Sequence, residues 1–152
     1  MRFLTSAGHR LYGGRMNTIS ASEVAARLDD LPLSMPALDL LVLFGSTVKG
    51  RRRAGSDLDI AVRFDGPADL DAVYLALAGR LGTDRLDLID LRRAGPVLAF
   101  EIARSGRLLF ERRPGAFREF QSLASRRYCD TAKLRASLQR AIRVFLGREG
   151  LA

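Results

Sequence analysis

The chain holds one cysteine, Cys129, and one histidine, His9, in 152 residues. A single thiol excludes an internal disulfide framework and suits a reducing cytoplasm. Nothing around Cys129 points to a nucleophile, and it reads as an incidental residue on a helix. His9 lies in a stretch without hydrophobic periodicity, so any acid–base work falls to carboxylates. No apolar run approaches the ~20 residues that a membrane-spanning helix needs, and the N-terminus lacks the hydrophobic block of a secretory signal. The expectation from these absences is a soluble, cytoplasmic protein with no membrane partner. Internal repeats and low-complexity segments are also missing.

With 47% hydrophobic and 28% charged residues, the chain reads as one globular domain long enough to bury a core. Acidic residues are scarce toward the C-terminus: from Arg112 onward ten basic residues face three acidic ones, so nearly all of the net charge of +8 lies in the tail. A basic balance raises nucleic acid as a partner. It equally suits a chain that binds a triphosphate.

Residues 1–17, which include Gly8, Gly13 and Gly14, are expected to form a flexible arm, within which Met16 offers an alternative start. Ser20 and Glu23 have capping-box spacing and predict a helix over 21–30, stopped by Pro32 and Pro36. Strands are predicted over 40–44, 57–64, 86–90 and 108–110, and helices over 70–81 and 97–104. Arg112, Arg113, Pro114 and Gly115 mark a boundary. Beyond it Phe117, Phe120 and Ala124, then Leu134, Leu138 and Phe145, recur at helical spacing with arginines between them. Such a stripe suits packing on its own domain or on a partner helix. The expected architecture is α/β, a small mixed sheet with helices largely on one face. Residues 18–113 would form the domain, and 114–152 a basic, amphipathic helical extension.

The residues with chemical promise lie between the first two strands. Gly45 closes the first apolar run, permits close approach of an anion, and is followed by the hydroxyl of Ser46 beside a short helix starting near Thr47. In the second run Asp57 and Asp59 alternate with Leu58 and Ile60, so both carboxylates fall on one face. Two like charges at such spacing repel by about 1 kcal/mol in water and about 4 kcal/mol at a protein surface. A cation should therefore sit between them, and an oxygen-only set suits Mg²⁺. Lys49, Arg51, Arg52 and Arg53 form a basic loop, either a solvated turn or a contact for a triphosphate.

Gly45-Ser46, Gly50 and Ser56-Asp57-Leu58-Asp59 together resemble the signature of the polymerase-β-like nucleotidyltransferases. The short chain looks most like the minimal nucleotidyltransferases (MNT), many of which are antitoxins paired with HEPN-domain toxins. Members often carry Ala-Arg before the second glycine, where Val48-Lys49 stand here with the charge kept. The resemblance implies the nucleotidyltransferase fold and transfer of AMP from ATP to a hydroxyl, most simply a tyrosine of a HEPN toxin. It implies that Asp57 and Asp59 hold two Mg²⁺ ions and that Gly45 and Ser46 grip the β- and γ-phosphates, with Lys49, Arg51 and Ser56 also on the nucleotide. A third carboxylate on a neighbouring strand is implied as well. Asp87 fits by order and spacing, with Asp90 the competing candidate. Other readings are a small-molecule transferase of the aminoglycoside type and a module that binds toxin or nucleic acid without catalysis.

Overall fold

The computed structural model describes residues 19–50 and 56–148. The expected arm over 1–17, with His9 and Met16, and Arg51, Arg52 and Arg53 of the basic loop lie outside the described residues. In chain order the elements are α1 (Ala21–Leu28), α2 (Leu31–Ser34), β1 (Leu38–Phe44), α3 (Gly45–Val48), β2 (Leu58–Phe64) and α4 (Leu70–Leu81). They continue as β3 (Leu86–Asp90), α5 (Pro96–Ser105), β4 (Arg107–Glu111), α6 (Ala116–Asp130) and α7 (Ala132–Arg148). Pro32 stands in the first turn of α2, where a missing N–H costs nothing, so a one-turn helix follows α1.

The four strands lie in the order β3-β2-β1-β4. Both neighbours of β1 run antiparallel to it, whereas β2 and β3 are parallel. That parallel pair requires a crossover, and α4 supplies it. β1 is central, and Leu40, Leu41, Val42 and Leu43 are all fully buried. An unbroken apolar run is what a strand covered on both faces needs.

The helices are accordingly divided between the two faces, which corrects the expectation that they would lie largely on one. Val24 and Leu28 of α1 and Val73, Leu77 and Leu81 of α4 join Leu41, Leu43 and Ile60 in one buried cluster. Ala99, Ile102 and Ala103 of α5 and Phe120 and Ala124 of α6 join Leu40, Val42 and Ala61 in the other. The second layer is built largely from alanines, whose short side chains bring helices close to a sheet but give a weak hydrophobic signal in sequence.

Caps fix the helix ends. Ser20 and Glu23 form the reciprocal capping box, with Ser20 N donating to Glu23 Oε2 at 2.7 Å and Glu23 N to Ser20 Oγ at 3.2 Å. Glu111, the last residue of β4, accepts from the backbone N–H groups of Gly115 and Phe117 at 3.1 and 3.0 Å, tying the start of α6 to the sheet. Asp69 Oδ1 accepts from Asp71 N at 3.0 Å and Ala72 N at 3.2 Å at the head of α4. Asp69→Ala is therefore expected to cost about 1 kcal/mol of stability, read as a lower denaturant midpoint at unchanged slope.

Candidate active site

The turn out of β1 and the start of β2 meet because the strands are antiparallel neighbours: Phe44 pairs with Asp59. Across the parallel ladder Asp59 in turn pairs with Asp87. Asp59 thus stands between the end of β1 and β3. Asp57 sits one residue before β2 and is exposed, as is Asp87, whereas Asp59 is half-buried. Leu58 and Ile60 take the face of the α1/α4 cluster and Ala61 the other, so alternation puts Asp59 on the α5/α6 side.

Gly45 is fitted to Asp59. Its backbone has φ of 71°, the left-handed region that favours glycine. A Cβ built on Gly45 would fall 1.9 Å from Asp59 Oδ2 and 2.6 Å from its Cγ, so the carboxylate lies in the space that glycine leaves open. Helix α3 therefore begins at Gly45 rather than near Thr47, and Ser46 lies in its first turn. Within α3 Thr47 is buried, and among the described residues its Oγ1 has no hydrogen-bond partner.

Lys49, just past α3, donates from Nζ to Glu101 Oε1 of α5 at 2.7 Å. Glu101 also accepts from Arg104 Nη2 at 2.9 Å and from Ser105 Oγ at 3.2 Å. Sequence reasoning missed Glu101, whose position in an amphipathic helix carries no motif. The hydrogen bonds from Lys49 and then Arg104 hold its carboxyl well down, at about 2 against an ordinary 4.5. A depressed carboxyl contributes stability above its ordinary value and loses it as pH falls through the folded one. The stability difference between wild type and Glu101→Gln should therefore persist at neutral pH and vanish between about pH 4.5 and 2, as measured by denaturation across that range.

The sequence-predicted residues are thus brought together in part. Gly45, Asp59 and Asp87 are neighbours across three adjacent backbone segments, with Ser46 beside Gly45 and Ser56 and Asp57 just ahead of β2. Lys49 is turned to Glu101, and Arg51 is outside the described residues. Asp90 is buried near the end of β3 and accepts from Arg92 N at 2.9 Å, serving the turn that follows. Among the described residues no three His, Cys, Asp or Glu side chains form a preassembled metal cluster. The donor set nonetheless fits a hard divalent cation: carboxylates only, on adjoining backbone positions, with the Gly45 hollow receiving one of them.

A glycine turn packed against an acid on the neighbouring strand, in a four-stranded mixed sheet, describes a nucleotidyl-transfer domain, and the chain belongs to the polymerase beta nucleotidyltransferase family, which it matches over residues 33–114. Within that family it is 36% identical over 98 residues to the protein adenylyltransferase MntA of Shewanella oneidensis, covering 62% of this chain and 68% of that one. It is 29% identical over 142 residues to the protein adenylyltransferase MntA of Aphanizomenon flos-aquae, covering 83% of this chain and 95% of that one. Among solved structures it resembles a toxin–antitoxin crystallised with AMP-PNP, with a TM-score of 0.67, 28% identity, and 78% of this chain and 98% of that one covered. It also resembles a chain from a complex of tri-AMPylated Shewanella oneidensis HEPN toxin with MNT antitoxin, with a TM-score of 0.63, 26% identity, and 80% and 98% covered. No helix among the described residues is long and apolar enough to cross a membrane.

Proposed function

We propose that this chain is an antitoxin that transfers AMP from ATP to a tyrosine hydroxyl of a cognate HEPN toxin. The observation that carries this reading is that the likeness to a protein adenylyltransferase runs along 95% of that relative, and takes in the stretch where Gly45 packs on Asp59. The reaction makes a bond between the acceptor oxygen and the α-phosphorus of ATP and breaks the bond from that phosphorus to the bridging oxygen, so pyrophosphate leaves. Gly45 and Ser46 bind the outer phosphates through backbone N–H and hydroxyl donors. Lys49, Arg51 and Ser56 add further donors to the nucleotide, Lys49 leaving Glu101 to do so.

Asp57, Asp59 and Asp87 would hold two Mg²⁺ ions, which neutralise the triphosphate and the charge that develops on the leaving pyrophosphate. Asp87 receives the proton of the acceptor hydroxyl. What supports Asp87 over Asp90 is its in-register place beside Asp59 and its exposure, whereas Asp90 is buried and paired with Arg92. The test is the intact mass of a cognate HEPN toxin after co-expression with this chain. One or more AMP units on the toxin supports transfer. A toxin that co-purifies unmodified would make the chain an antitoxin by contact alone.

A further inference from the structure

Ten large hydrophobic side chains stand exposed among the described residues, and five of them are on α7. Singly scattered apolar residues need no explanation, but these are not scattered. Leu134, Leu138, Ile142 and Phe145 follow one another at intervals of four, four and three along one helix face, and α7 buries none of its residues. The face is not a frayed end, because its root is built into the domain. The Arg135 guanidinium lies over the Tyr128 ring of α6 at 3.7 Å and donates to Tyr128 O at 2.5 Å. Tyr128 stacks in turn on Phe100 of α5, with ring centroids 4.2 Å apart. The residue after Phe100 is Glu101, the partner of Lys49 beside the Gly45 turn.

Charge decides what can cover this face. From Ala132 to Arg148 there are five basic residues and no acidic one. Lys133, Arg140, Arg143 and Arg148 are all exposed. A second copy of α7 would bring the same charges against them, and like charges across an interface are unfavourable. A partner with acidic side chains around an apolar face is complementary. We propose that α7 is the docking arm for the acceptor protein, taking an apolar helical face rimmed by Asp and Glu, and so holds the acceptor in a fixed relation to the nucleotide site through the Arg135–Tyr128–Phe100 column. This rests on the reading of the chain as a protein adenylyltransferase.

The test compares wild type with Leu138→Glu, Phe145→Glu and the charge reversal Lys133→Glu/Arg140→Glu, each titrated with a cognate HEPN toxin, and each checked for ATP affinity and melting temperature. Each of these side chains is exposed, so the fold and ATP affinity should stay as in wild type. Affinity for the toxin should fall roughly 30-fold or more for each apolar-to-Glu change, the scale of an interface hot spot. The charge reversal should weaken association and reduce its salt dependence. Undiminished binding and modification of the toxin by all three variants would overturn the docking arm while leaving the transferase reading intact. Binding through α7 without modification of the toxin would do the opposite. A wild-type dimer that the variants turn into monomers, or α7-dependent binding to anionic phospholipid vesicles with toxin binding unchanged, would also overturn the proposal.

Discussion

Asp57→Asn/Asp59→Asn is expected to abolish AMP transfer, lowering the rate by at least ~10³-fold, which corresponds to ~4 kcal/mol of lost transition-state stabilisation. Asparagine has nearly the shape of aspartate, so the side chain at position 59 still fills the hollow at Gly45. What it loses is the negative charge that, on the proposed reading, would hold a divalent cation against a triphosphate. The measurement is the single-turnover appearance of AMP on the toxin by intact mass, with circular dichroism to verify the fold. Toxin binding provides the control. The acids lie at and just ahead of β2 and not on α7, so the double variant should still bind the toxin while failing to modify it. Full modification by the double variant would remove the acids from the reaction.

The sheet was largely readable from the chain, because strands and helices announce themselves by period. The helix predicted over 70–81 is α4, with Asp69 accepting the first N–H groups and Gly82 at φ of 67° closing it. An apolar run does not say whether a strand is covered on one face or on both, and β1 is covered on both. Leu40 and Val42 look toward one cluster while Leu41 and Leu43 look toward the other. The candidate site is compact along the chain, Gly45, Ser46, Asp57 and Asp59 lying within fifteen residues of one another. Contacts between distant residues are not legible in that way. Lys49 meets Glu101 52 positions away, and no local pattern marks which glutamate a lysine will find. In the sequence Gly45 shows only half of its expected part, as a place where a phosphate could approach.

Its other half makes Gly45→Ala the second large effect. A methyl group there would lie 1.9 Å from Asp59 Oδ2, 2.6 Å from Cγ and 3.1 Å from Cβ, so the carboxylate must leave its place for the side chain to fit. The left-handed backbone at φ of 71° adds a cost of about 1–2 kcal/mol for any residue with a Cβ, and overpacking adds about 1–3 kcal/mol. A shift of about 1 Å in a reacting geometry can cost ~10²-fold in rate, so Gly45→Ala should lose at least that much transfer activity while keeping its secondary structure. A double-mutant cycle separates the two costs. In an Asp59→Ala background the contacts with Oδ2 and Cγ are gone and only the backbone penalty and the approach to Cβ remain, so Gly45→Ala should destabilise that background less than wild type. Equal destabilisation in both backgrounds, measured by chemical denaturation, would mean that the glycine is required for its backbone alone and that Asp59 does not depend on it.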